Sequence, residues 1–282
     1  MEAREPRIWR SSVATIGNYY LTGAWMEITV LASGSKGNCT LVRGEDGALL
    51  VDCGLSAREV LSRISTARCH DVSIQGILVT HEHVDHIRGV WALARKLRVP
   101  IYGTGGTLQG LPDGVHKGDV PSLHPVHPTT RFNLGEFVVE PFPLSHDARE
   151  PCGFVIEDGG SRFAFCTDTG FLPPPLVGEL SRCDGILLES NHCPEMLATG
   201  PYPESLKRRI RSRRGHLSNT AAATCLREIG GHLGAVILAH LSEVNNTPEK
   251  ALASAKEGLG FYIGDVEVLV AHQHRVSPSL SL

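Results

Sequence analysis

The sequence predicts an α/β protein folded as a four-layer sandwich, with two packed sheets inside and helices outside. Three observations predict it. Strand-like runs come first as a meander, at residues 28–32, 39–42 and 48–51, broken by the turn Ser33-Gly34-Ser35-Lys36-Gly37-Asn38. Further along, apolar runs of strand length alternate with segments of helical periodicity. The composition, 41% hydrophobic and 20% charged over 282 residues, suits a core large enough for such layers within one domain.

Taken in order, Ser56-Ala57-Arg58-Glu59 has the form of a capping box and opens a helix running to about Thr66. Residues 74–80 form a short buried strand. Residues 87–97, with Val90, Leu93, Ala94 and Leu97 on one face, form a helix. Strands follow at 137–142, 153–156, 162–166 and 185–188. A helix is expected over 202–214, and Ser218 caps another that reaches Ile229. Residues 235–239 are a strand, 248–259 a helix with Pro248 in its first turn, and 265–270 a last strand.

The formal charge is −3, and no apolar run approaches the roughly 20 residues needed to span a bilayer, so no membrane association is expected. The first 25 residues have no continuous apolar segment of the signal-peptide kind. They read as a disordered extension ahead of a single domain at 26–282. Eight scattered cysteines include no C-x-x-C pair, which points to reduced, buried thiols in a cytoplasmic protein.

Histidine is unusually frequent, with 14 copies. Four functional side chains fall within His81-Glu82-His83-Val84-Asp85-His86, placed between a predicted strand and a predicted helix. From the chain's own residue frequencies such an array arises by chance roughly once in a thousand sequences. Three imidazoles and a carboxylate so close would repel if protonated, and a divalent cation relieves that repulsion. Their directions diverge on a short loop, so two ions are the natural expectation, one on His81 and His83 and the other on Asp85 and His86. The missing ligands should come from ends of other strands, where His146, Asp168 and His240 each follow a predicted strand.

The array with its distant His, Asp and His resembles the metallo-β-lactamase fold of di-metal hydrolases, from residue 26 to the end. The segments Ser33–Asn38, Val51-Asp52-Cys53-Gly54, Gly215-His216-Leu217-Ser218-Asn219 and His240-Leu241-Ser242 are similar to those of the YycJ/WalJ group, bacterial proteins regarded as DNA exonucleases and close to ribonuclease Z. The resemblance implies one Zn²⁺ or Mn²⁺ ion on His81, His83 and His146, a second on Asp85, His86 and His240, and Asp168 between them. It implies that Asp52 braces the metal loop from behind the ligands. It also implies that Glu189 and His216 assist proton transfer, with Asp85 part of the catalytic centre. His192 receives only a surface or supporting role.

Two cations about 3.5–4 Å apart would lower the pKa of a shared water and stabilise charge around phosphorus, so attack of a bridging hydroxide on a phosphodiester is expected. Six cations crowd residues 207–214 immediately before Gly215-His216: Lys207, Arg208, Arg209, Arg211, Arg213 and Arg214. Without them the chain is distinctly acidic, so positive charge is focused beside the expected site, as a polyanionic backbone requires. Lys36, Asn38, His216 and Ser218 complete the expected substrate contacts, since backbone at a helix N-terminus receives phosphate.

The intervals between ligands leave no room for the inserted domain of β-CASP nucleases or the long arm that grips tRNA in bacterial ribonuclease Z. A compact DNA exonuclease, 5′→3′ by resemblance and linked by it to DNA repair, is the expectation. The alternative is a small-molecule hydrolase of the same fold, acting on a thioester, lactone or cyclic phosphodiester. Oligomeric state stays open, a homodimer included.

Overall fold

Alternation along the strands decides the layers. In residues Ser161–Cys166, Phe163 and Phe165 join one apolar cluster while Ala164 and Cys166 join another on the opposite face. In Ala48–Val51, Leu49 and Val51 face the same central cluster and Ala48 and Leu50 a third. Strands buried on both faces require cover on both sides, and the four-layer sandwich follows.

The computed structural model describes residues 26–67, 72–112 and 121–282; the extension expected at 1–25 lies outside them. Among the described residues, one sheet holds β1 (Glu27–Ala32), β2 (Cys39–Arg43), β3 (Ala48–Val51), β4 (Ile74–Leu78), β5 (Ile101–Thr104) and β6 (Leu123–Val126) in that order. The second runs, from edge to edge in chain order, through β7 (Phe132–Leu134), β8 (Phe137–Pro143), β9 (Cys152–Asp158), β10 (Ser161–Cys166), β11 (Gly185–Glu189), β12 (Ala235–Ala239) and β13 (Glu267–Val270). The C-terminal β14 (Leu280–Ser281) returns to pair antiparallel with β1 in the first sheet. Strands β3 to β6 are parallel, as are β10 to β13.

The first sheet is covered by α1 (Ala57–Thr66) and by residues 90–97, through Val60, Ile64, Val90, Leu93 and Ala94. On the second sheet, residues 174–180, 219–229 and 248–259 bury Leu176, Leu226, Ile229, Ala251 and Leu259. Between the sheets lie Met26, Ile28, Phe137, Phe154, Ile156, Phe163 and Ile237, all essentially inaccessible. Their burial supplies the main driving force.

Two expected helices are shorter than the periodicity suggests. The helix expected at 87–97 is two helices, α2 (Val84–Ile87) and α3 (Val90–Leu97). Gly89 interrupts them because its N–H bonds the Cys53 carbonyl at 2.8 Å, and a Cβ there would stand 2.1 Å from the Leu55 oxygen. The helix expected over 202–214 is only Glu204–Ile210: the chain turns back, the His216 N–H bonds the Ile210 carbonyl, and a Gly215 Cβ would collide with two carbonyls at 2.2 Å. The first break is a tertiary demand that a local pattern does not carry; the second is a turn the chain makes against its own preceding residues. Strands β5 to β7 and helices α4 (Gly105–Gly110), α5 (Pro174–Leu180) and α6 (Pro194–Thr199) were not expected; all are short, and four of them contain or border proline. Helices α7 (Glu204–Ile210), α8 (Asn219–Ile229) and α9 (Pro248–Leu259) complete the set used below.

Among the described residues no helix is long and apolar enough to cross a membrane. The described cysteines, all but Cys69, are free and buried.

Candidate metal centre

The side chains singled out by the sequence converge at one end of both sheets. Asp52 follows β3, His81 follows β4, His146 follows β8, Asp168 follows β10, Glu189 ends β11 and His240 follows β12. Three of these turn sharply: Asp52, Asp168 and His240 have φ of 59°, 56° and 55°. Non-glycine residues in the left-handed region cost of order 1 kcal/mol or more each, a strain that concentrates at functional sites.

Donor atoms gather in overlapping groups, each within 4.8 Å: His81, His83 and His146; Asp85, His86 and His240; His81, His86 and Asp168; and Asp168, Glu189, His216 and His240. Asp168 therefore sits between the two histidine groups, with Oδ2 3.1 Å from His86 Nε2 and Oδ1 3.9 Å from His146 Nε2.

The hydrogen bonds behind the rings decide which way each lone pair points. His86 Nδ1 donates to Asp52 Oδ2 at 2.7 Å, His240 Nδ1 to Glu189 Oε1 at 3.1 Å, and His146 Nδ1 to the Gly215 carbonyl at 3.1 Å. His81 Nδ1 donates to Thr80 Oγ1 at 3.0 Å, and that hydroxyl donates onward to Asp52. With these tautomers, assigned from the acceptors present, every Nε2 turns its lone pair into the centre.

Several inward-facing atoms then lack a full set of protein partners. Nδ1 of His83 lies 3.1 Å from His81 Nε2 and 3.3 Å from His146 Nε2. A proton on His83 Nδ1 can serve only one of those two lone pairs at a time, whereas a cation among the three nitrogens would serve them all. His240 Nε2 and Asp168 Oδ2 are buried without a hydrogen-bond partner. Buried polar atoms so exposed to penalty need an explanation, and a nitrogen–carboxylate donor set of this kind fits divalent zinc or manganese. The residues fit the implied ions.

Charge follows the same logic. Burial drives the His81 imidazole well below its ordinary value, and the neighbouring His86 adds to this. His86 goes the other way: burial opposes its charge, yet the Asp52 and Asp168 carboxylates hold it well above the usual range. Asp168 is kept well below the carboxylate range, against burial, by His240 and His86.

The metal loop is held from behind by backbone. The Asn38 N–H donates to the Asp85 carbonyl and the Cys53 N–H to the His86 carbonyl, each at 2.7 Å. A Cβ on Gly54 would lie 1.6 Å from the Asp85 oxygen, so only glycine permits this approach. Asn38, expected to touch substrate, is buried here instead: its Nδ2 lies 3.0 Å from His86 Nε2 and its Oδ1 accepts from Gly34 N–H. Its short amide is drawn inward by the loop's own backbone.

Glu189 is completely buried beneath the centre. Its Oε1 accepts from His216 Nδ1 at 2.8 Å and from His240 Nδ1, while Oε2 accepts from the N–H groups of Thr169 and Leu217. Burial works against its charge, but His216 brings it down to about 2. His192 is no surface residue: only 3% exposed, it is lowered to about 4 by burial.

The basic segment wraps the rim. Arg209 Nε donates to Asp147 Oδ2 at 2.6 Å, Arg214 Nε to the His146 carbonyl at 3.2 Å, and the Arg213 guanidinium lies 3.7 Å over the Phe171 ring. Arg208 and Arg211 are exposed on the same stretch. Lys207 departs from the expectation. It is buried, with Nζ donating to the Ala198 carbonyl at 2.8 Å, because the inner face of α7 carries its long stem into the fold. Ser218 caps α8 through the Ala221 N–H, and Lys36 pairs with Glu243 at the surface. Thr80 and Asp147 were not singled out beforehand; the only signal for either was its position beside a candidate ligand.

Fold and donor set define a hydrolase class, and the chain belongs to the beta-lactamase superfamily, whose domain family matches residues 48–241. Within it the chain falls in the YycJ/WalJ group. It is 37% identical to "Exodeoxyribonuclease YycJ" of Bacillus anthracis, across 85% of this chain and 92% of that protein. It is 36% identical to "Exodeoxyribonuclease WalJ" of Streptococcus pneumoniae, across 82% and 90%. Among solved structures, the metallo-β-lactamase-fold protein YhfI from Bacillus subtilis superposes with a TM-score of 0.67 at 20% identity, covering 92% of this chain and all of that one.

Proposed function

We propose that this hydrolase is a di-metal-dependent DNA exonuclease, digesting 5′→3′ as the family resemblance implies. One observation carries the reading: the arginines that rim the donor cluster are tied to the loop carrying a ligand, through Arg209–Asp147 and Arg214–His146. Cations locked to the site rather than scattered over the surface suit a backbone of repeated phosphates.

His81, His83 and His146 would hold one ion and Asp85, His86 and His240 the other, with Asp168 between. When bound, the two Zn²⁺ or Mn²⁺ ions supply a nucleophilic hydroxide and neutralise charge at phosphorus. The chain's own residues do the rest. Arg208, Arg211 and Arg213 steer the strand in. Glu189 orients His216 and stabilises its protonated form, so that Nε2 can give a proton to the departing oxygen. Glu189 also fixes His240, so one carboxylate aligns the acid and a ligand together.

Metal-loaded protein is incubated with end-labelled single- and double-stranded DNA and RNA, beside an Asp85→Ala/His86→Ala control. Stepwise shortening of DNA that vanishes in the control is expected. Absence of cleavage of every nucleic acid with either metal rejects the proposal.

A further inference from the structure

A cavity of about 160 Å³ opens beside His216, between the basic helix α7 and the loops that follow β1, β11 and β12. Tyr202, Leu206 and Ile210 are its apolar lining; Arg209 with its partner Asp147, Asn191 and Ser242 are polar lining. It falls well below the roughly 300–1,000 Å³ of pockets that enclose a drug-sized ligand, leaving room for one flat ring system.

We propose that this cavity receives a single unpaired nucleobase from the nucleotide next to the scissile phosphate. The inference rests on the nuclease reading and adds what the site selects. His216 belongs both to this wall and to the donor cluster around Asp168 and His240, so a base seated here has its phosphate at the centre. An aromatic ring, two branched aliphatic side chains and a guanidinium held by a carboxylate make a stacking slot with a polar lip. Such slots accept any base, because every base presents a π-face. Arg209 is held by Asp147 at 2.6 Å, so its guanidinium is oriented before substrate arrives. A paired base would bring its partner along, and the cavity has no space for that. The terminal nucleotide must therefore unpair before it is cut, and frayed or single-stranded ends are preferred over blunt duplex.

The test uses oligonucleotides with 2-aminopurine, or an abasic site, at the first or second position from either end. They are titrated against the full chain with and without Mn²⁺, following 2-aminopurine fluorescence and anisotropy. Cleavage kinetics are measured in parallel. At one of these positions, base seating should quench the 2-aminopurine, and an abasic site there should weaken binding and raise KM about 10-fold or more with kcat little changed. Tyr202→Ala should weaken the intact oligonucleotide to the abasic level and leave the abasic one unaffected. Leu206→Phe, which fills the slot, should do the same. Equal binding of abasic and intact strands by the unsubstituted protein at every position overturns the pocket, whatever the variants do. Binding and quenching without cleavage would remove the nuclease reading and leave the pocket standing.

Discussion

His86 and Asp52 are joined by a hydrogen bond of 2.7 Å between two buried side chains, Nδ1 to Oδ2, and that bond turns the other ring nitrogen toward the metal centre. Asp52 reaches it only because its backbone adopts φ 59° at the end of β3. In Asp52→Asn the amide can present a donor to His86 Nδ1 and favour the tautomer with Nε2 protonated. Affinity for the ion on Asp85, His86 and His240 should fall about 10- to 100-fold. Competition with a chelator of known strength measures this; unchanged affinity would show that Asp52 does not set the tautomer.

His81, His83 and His146 bring three ring nitrogens to one point, where a single shared proton serves fewer of them than a cation would. Because ions bind the folded centre and not the unfolded chain, Zn²⁺ or Mn²⁺ should raise Tm, and the rise should grow with free metal concentration. A calorimetric titration checks it. His146→Ala should reduce the gain, and a Tm indifferent to metal would argue against the centre.

Glu189 organises four donors beneath the site, His216 among them. Glu189→Gln keeps the volume and loses the charge that supports an imidazolium, so kcat on DNA should fall about 100-fold with little change in KM. Steady-state kinetics separate the two parameters, and a pure KM effect would place Glu189 outside proton transfer.

The arginines and Lys207 should behave differently although they are neighbours in sequence. Removing exposed Arg208 and Arg211 together should raise KM, keep kcat, and flatten the dependence of log affinity on log salt by about 0.7–0.9 for each phosphate that is no longer neutralised. Lys207→Met should leave that slope alone, because its ammonium is engaged with Ala198 inside the fold. Binding isotherms across a salt series distinguish the outcomes.

Far from the centre, Asp158 sits at the end of β9 with Oδ2 unpartnered. Burial first, then the nearby carboxylates of Glu136, Glu45 and Asp46, push it up to about 6. A raised carboxyl keeps its proton longer in the folded state, so stability declines as pH rises from about 4 through 6. Asp158→Asn should therefore be more stable than the parent at pH 7, by about 1 kcal/mol once solvent screening is allowed for, and equal to it near pH 4. Denaturant melts at the two pH values give the comparison.

The strands that cross the core were legible because alternation and β-branched runs are local properties: β1, β3, β11 and β12 lie where the pattern put them, within a residue or two. The array from His81 to His86 was legible for the same reason, since a dense loop of imidazoles has few uses other than metal. Gly89 was not legible as a helix break, because what makes it necessary is the Leu55 carbonyl, brought there from elsewhere in the chain, whereas Gly215 lies just past the expected helix and turns against its own neighbours Arg209 and Ile210.

Residue types and their positions after strands thus determined, by themselves, the layers of the fold and the candidate ligands. Only the tertiary structure decided orientation and access. It turned Asn38 and Lys207 inward and left Arg208 and Arg211 outside. It hung both His216 and His240 on one buried carboxylate, and enclosed a slot for a single ring beside them. The reason is physical. Chemistry and periodicity are written in each residue and its neighbours, whereas the direction of a side chain depends on distant backbone that arrives only when the two sheets pack.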